Sequence, residues 1–183
     1  MDIEEVKREN IIDMAWGFSA MTRVFEKKAT KKIVSKLGQT FSQIASLQDT
    51  TEFETLHDDF CRWFEINIRT AKESSNASYG QGAKVLDVAL KVYVYYCHLP
   101  DPITAERTSR WLHAAIDTKM LKYLSRRPGS GKLNIQATTI KGIDRKIYTE
   151  LQELVQQDIK AKFSDDIIPV QWDDIKWRQL NRP

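Results

Sequence analysis

Apolar side chains recur along most of this chain at intervals of three and four, the spacing that lines one face of a helix. From Asp2 to Phe25 the apolar positions are Ile3, Val6, Ile11, Met14, Ala15, Phe18, Met21 and Phe25, with Gly17 as a point of interruption. Thr30 to Leu47 repeats the pattern with Ile33, Val34, Leu37, Phe41, Ile44 and Leu47. A third helix, to about Thr70, opens on Thr50 or Thr51 with Glu54 in a capping arrangement, and its apolar face carries Phe53, Leu56, Phe60, Trp63, Phe64 and Ile68. The polar segment Lys72 to Ser78 leads to Gly80 and Gly82, and a helix starts near Gly82. From Val85 to Val94 almost every position is apolar, which predicts a helix surrounded by protein rather than lying on a surface. It ends near His98, because Leu99-Pro100-Asp101-Pro102 cannot continue it.

Thr104 to Leu112 predicts a short helix, and Asp117 is placed to cap the next, which ends around Arg127-Pro128-Gly129. Ser130 to Thr139 is the least helical stretch and reads as an extended loop or a short strand. Asp144 to Phe163 returns to helical spacing through Ile147, Leu151, Leu154, Val155, Ile159 and Phe163, and Pro169 to Trp177 begins a short final helix. Neither a repeat nor a low-complexity linker divides these segments. The expected fold class is all-α, a single domain over residues 1–183.

Composition supports a folded helical chain and narrows its chemistry. With 183 residues, 42% hydrophobic and 29% charged, the chain is long enough for a proper core. No apolar run is long enough to span a bilayer, and Met-Asp-Ile-Glu-Glu is too acidic to open a signal peptide. Cys61 and Cys97 stand alone without metal-ligand spacing, so a reducing compartment is expected and an iron–sulfur cluster is not. The net charge is only +3, but it is unevenly spread. Lys31, Lys32 and Lys36 fall in an acid-free stretch that reads as a solvated helix face. Thr118 to Ile143 holds Lys119, Lys122, Arg126, Arg127, Lys132 and Lys141 with no acid. This second stretch directly follows Asp117, where a nucleic-acid backbone would lie if the site acted on a nucleotide.

The chemistry concentrates between Ser78 and Leu124. S-Y-G-Q-G-A-K-V-L-D opens this stretch with two glycines and a lysine, and L-H-A-A-I-D-T-K-M-L closes it with one acid among apolar residues. Gly80 and Gly82 permit a tight turn with positive φ and a close backbone approach. Lys84, in the first helical turn, is disfavoured as a cation by the positive helix end. Partial desolvation there would make its amine a nucleophile near neutral pH. The plainer alternative is a surface lysine whose head reaches water.

Gly80, Gly82 and Lys84 match, in order and spacing, the L-P-G-x-G-x-K hairpin of the helix-hairpin-helix Gly/Pro/Asp superfamily of DNA glycosylases, which this segment resembles. Val85 and Asp87 are similar to the K-V-x-D of 8-oxoguanine glycosylases. Ile116-Asp117, followed by Thr118 and Met120-Leu121, resembles the second half of the family's P-V-D or P-I-D motif. Ser78-Tyr79 stands where the family has Leu-Pro, and Ala115 where it has proline. Thirty-three positions separate Lys84 from Asp117, longer than in most of the family and closer to the archaeal 8-oxoguanine branch.

The resemblance implies a helix-hairpin-helix-like core over about residues 78–124, DNA as partner, and neither cofactor nor metal. In that family the lysine attacks C1′ of a nucleotide flipped out of the duplex, displacing a damaged or modified base, and strand cleavage can follow from the Schiff base. Lys84 and Asp117 would fill these catalytic roles. Gly80, Gln81 and Gly82 would hold phosphate through backbone amides, and Lys119, Lys122, Arg126 and Arg127 would take the DNA backbone. A cytoplasmic monomer, nucleoid-associated in a bacterium, is the matching expectation.

Two other readings stand beside this one. Arg107-Thr-Ser-Arg-Trp-Leu-His113 resembles the R-x(4-6)-H motif of HEPN ribonucleases, which predicts metal-independent RNA cleavage indifferent to Lys84. Alternatively the chain is a helical binding module without chemistry, in which the two glycines serve helix packing and Lys84 is exposed. Gly129-Ser130-Gly131-Lys132 is no phosphate loop, because Arg126 and Leu133 stand where that pattern needs Gly and Ser or Thr. His57 and His98 read as surface or capping residues and Tyr93, Tyr95 and Tyr96 as packing groups. Trp111, Trp172 and Trp177 read as core anchors, and Tyr79 as able to reach a ligand.

Overall fold

A computed structural model describes residues 2–72, 75–126, 139–163 and 167–181, and within them the chain is all-α. In order come α1 (Ile3–Phe18), α2 (Ala29–Gln43), α3 (Thr50–Asn67), α4 (Tyr79–Leu90), α5 (Pro102–Ser109), α6 (Thr118–Leu124), α7 (Arg145–Lys162) and α8 (Pro169–Asn181). Extended pairing among the described residues is confined to isolated bridges between Phe25 and Thr70 and between Arg69 and Asn76.

Five helices start on a short polar side chain that accepts a first-turn N–H: Asp49, Ser78, Asp101, Asp117 and Asp144. The cap of α3 is thus Asp49, not Thr50 or Thr51, and its carboxylate partner in the turn is Glu52, which accepts the Gln48 N–H at 2.8 Å. α6 ends at Leu124, before Arg127, and the segment from Arg127 to Thr138, with Lys132 and the Gly129–Lys132 motif, lies outside the described residues.

α4 is the axis of the molecule and packs against α1, α2, α3 and α7. Its side chains Ala83, Val85, Leu86, Ala89 and Leu90 are buried, as the unbroken apolar run requires. The glycines at its start have a different role from the expected turn. Both lie inside the first helical turn, after Ser78 and Gln81 close a reciprocal capping box. What they allow is close approach. A Cβ on Gly80 would fall 2.5 Å from Ile143 Cβ, and one on Gly82 2.9 Å from Phe64 Cβ. The expectation of a positive-φ turn is therefore corrected, while that of intimate backbone contact holds.

Beyond Leu90 the helix widens into a π-helical segment, Lys91–Tyr96. Bonding to the fifth residue brings side chains five apart onto nearly one side, which an α-helix would separate. Lys91 and Tyr96 consequently both reach Asp174 on α8, at 3.2 and 2.6 Å. Trp172, fully buried, fixes α8 to α7 by donating its indole N–H to Asp158 at 3.0 Å, and Tyr123 of α6 donates to the same carboxylate. Trp177, expected in the core, is instead more than half exposed.

Candidate functional site

Two clefts flank α4. The first, of about 390 Å³, is lined by Lys84, Lys91 and Tyr96 from the α4 rod, Asp117 from the start of α6, and Asp173, Asp174 and Trp177 from α8, with Phe18 to Ala20 after α1. Its size lies within the roughly 300–1,000 Å³ of small-molecule sites. Phe18, Tyr96 and Trp177 are all more than half exposed, so large apolar rings and an amine gather at one opening.

The two residues singled out by the sequence therefore meet in one cleft. Lys84 is partly buried and forms no hydrogen bond or ion pair among the described residues. Burial pushes its pKa below the ordinary lysine range, and the charges of Asp117 and Asp173 offset only part of that. Asp117 accepts the Met120 N–H at 2.8 Å and so caps α6. Asparagine caps as well as aspartate, so Asp117→Asn should keep the stability of the fold, whereas Asp117→Ala should lose about 1 kcal/mol. Thermal melts of the two variants check this.

Lys91, Asp173 and Asp174, which no motif in the sequence marks, are the other charges of the cleft. Lys91 Nζ lies 2.6 Å from Asp173 and 3.2 Å from Asp174. Burial works against the Lys91 cation, yet the two carboxylates together outweigh it and hold its pKa above the usual value. One ammonium cannot do the same for both acids. Burial, with the neighbouring charge of Asp174, wins at Asp173 over the attraction of Lys91 and pushes its pKa up to about 6. The folded chain therefore binds this proton more tightly than the unfolded chain does. The stability it contributes is fully present below about pH 4, the ordinary aspartate range. It is lost as the pH rises to about 6. In melts across this window, Asp173→Asn is expected to remove that fall.

No family model, curated protein or solved structure matches this chain. The site is thus read from its own geometry. The backbone amides expected to hold phosphate are already engaged. Gly80 N–H donates to Ile143 O at 2.9 Å, Gln81 N–H to Ser78 Oγ at 3.3 Å, and Gly82 N–H to Ser78 O at 3.1 Å. The Gln81 side chain is buried and closes the capping box. These three residues position Lys84 rather than offering donors to a ligand. Lys119, Lys122 and Arg126 are exposed and line a shallow depression with Tyr123 and Leu180, and Lys119 also bonds Asn181. The helices α6 and α8 that border the Lys84 cleft thus carry this basic face as well. Arg127 lies outside the described residues.

The second cleft, of about 260 Å³, is lined by residues including Glu54, Asp58, Tyr79, His113, Arg145 and Tyr148. His57 behind it is only 1% exposed, so its reading as a surface residue is corrected. Its neighbour on the next turn, Cys61, is equally buried, and the hydrophilic signal of Asp58 and Asp59 conceals an inward face. Tyr79 is buried and donates to Asp58 at 3.1 Å. Arg107 and His113 have separate partners. The guanidinium donates to Leu47 O at 2.9 Å and lies over Trp111, while His113 contacts Tyr148 and Glu54.

Proposed function

We propose that this protein is a DNA glycosylase that cleaves the N-glycosidic bond of a damaged or modified base, with Lys84 as nucleophile and Asp117 as its carboxylate partner. The observation that carries this reading is the half-buried Lys84 amine, without a hydrogen bond or ion pair among the described residues, in a cleft shared with Asp117, its proton affinity reduced by burial. A lowered proton affinity gives this amine a larger neutral, nucleophilic fraction than an exposed lysine has.

A nucleotide extruded from the duplex would place its base against Phe18, Tyr96 and Trp177, and its sugar towards Lys84. The neutral amine attacks C1′, the C1′–N bond breaks with its electron pair leaving on the base, and the base takes up a proton. Asp117 stabilises the positive charge that develops on the sugar. Loss of the amine proton and ring opening give a Schiff base, from which elimination of the 3′ phosphate would nick the strand. Lys119, Lys122 and Arg126 supply phosphate contacts beside the cleft.

Borohydride trapping on duplexes carrying 8-oxoguanine, uracil or an abasic site tests this reading. A covalent adduct formed by the wild-type chain and absent with Lys84→Gln is expected. Absence of both adduct and base release on all three substrates would refute it and leave a binding module.

A further inference from the structure

A cluster behind the second cleft takes no part in the lysine chemistry. His57, His113 and Asp87 each offer one possible ligand atom, a ring nitrogen or a carboxylate oxygen, and the three atoms lie within 4.8 Å of one another. They come from α3, from the segment after α5 and from α4. The Tyr148 hydroxyl of α7 sits among them, 3.2 Å from His57 Nε2, 2.9 Å from His113 Nδ1 and 2.8 Å from Asp87 Oδ2. His57 Nε2 is also 2.9 Å from Asp87 Oδ1.

The outward nitrogens are already occupied. His113 Nε2 meets Glu54 Oε1 at 2.8 Å, and His57 Nδ1 faces Cys61 Sγ at 3.7 Å. An ionised carboxylate only accepts, so His113 carries a hydrogen on Nε2 and, when neutral, turns the Nδ1 lone pair inward. In the His57 tautomer that directs its Nδ1 hydrogen at Cys61, the inward contacts have one hydrogen among them, that of Tyr148. A cation at their centre would satisfy every lone pair.

We propose that His57, Asp87 and His113 bind a divalent transition-metal ion of the zinc type, with the Tyr148 oxygen at the fourth position. Two imidazoles and one carboxylate suit zinc, whereas magnesium and calcium take sets of six or more oxygens. A tetrahedral ion bound at about 2.0–2.1 Å holds its ligand atoms roughly 3.3 Å apart. The 2.8–3.2 Å contacts to Tyr148 are close to that spacing. Glu54 holds the His113 ring in the ligating tautomer, as partners behind metal-bound histidines do, and in the ligating tautomer of His57 the Nδ1 hydrogen points at Cys61 Sγ. His113 and Tyr148 line the open cleft, which gives the ion a route in.

The test is a titration of the chelator-stripped full chain with Co²⁺, followed by visible absorption, then displacement by Zn²⁺ with the bound metal measured by elemental analysis. One equivalent is expected. His113→Ala should weaken binding about 100-fold and Glu54→Gln about 10-fold. Cys97→Ser, beside the exposed His98, should leave binding unchanged. Glu54 is partly exposed, so its variant keeps the test open if His113→Ala does not fold. Absence of stoichiometric uptake would overturn the proposal. Equally tight binding by His113→Ala and Glu54→Gln would overturn it too.

Discussion

Lys84→Gln is expected to leave the fold intact and to remove the chemistry. Among the described residues the side chain gives up no hydrogen bond or ion pair on substitution, so the melting temperature should stay close to that of the wild type. Loss of the amine removes the atom that bonds to C1′. Base release should fall on the order of 10³-fold or more, which is about 4 kcal/mol of barrier, in single-turnover assays on a modified duplex. Asp117→Asn should be slower by roughly 10²–10³-fold, because the developing positive charge loses its counter-charge. The same variant should also move the rising limb of the pH profile to lower pH. Asp117 raises the proton affinity of Lys84, and without it burial acts with less opposition. A purely structural Asp117 would leave the limb where it is.

Gly80→Ala is expected to be among the most damaging single-methyl changes in the chain. Its Cβ would meet Ile143 Cβ at 2.5 Å, the Ile140 carbonyl oxygen at 2.8 Å and Ile143 Cγ2 at 2.9 Å. Neither a β-branched Cβ nor a backbone carbonyl can swing away as the end of a flexible side chain can. The backbone is also held, since Gly80 N–H donates to Ile143 O and Ser78 Oγ to Ile140 O. A loss of about 3 kcal/mol is expected, the upper end for overpacking, which lowers the melting temperature by roughly 6–12 °C. Gly17→Ala is the contrast, with nothing within 4 Å of the added methyl. There the replacement should gain about 0.5–1 kcal/mol from helix propensity. Were the two variants to melt alike, close approach at Gly80 would not be what fixes the start of α4.

The helices were largely legible because apolar positions recur with helical spacing over most of the chain, and because Asp117 stands where a cap is needed. Lys84 and Asp117 could be paired from sequence because G-x-G-x-K and the later A-I-D resemble the two motifs of one glycosylase family. The rest of the cleft could not be found that way. Lys91 and Asp173 are 82 positions apart, and the π-helical widening that turns Lys91 and Tyr96 to one side has no period in the sequence. His57 was misread for a related reason. It sits next to two aspartates, and only the packing of α3 against α4 shows that it faces Asp87. Gly80 and Gly82 suggested a turn because glycine permits both a turn and a close approach, and the sequence does not say which is used.

The most direct measurement locates the amine. The borohydride-trapped complex of the wild-type chain with a modified duplex would be digested, and the lysine carrying the reduced sugar identified by mass spectrometry. Two amines line the cleft, and they differ in electrostatic state. Lys91 is held as a cation between Asp173 and Asp174, while Lys84 has no ion-pair partner among the described residues and its proton affinity is lowered. The expected result is modification at Lys84 alone. An adduct at Lys91, or at an exposed lysine of α6, would contradict the assignment of Lys84 as the nucleophile.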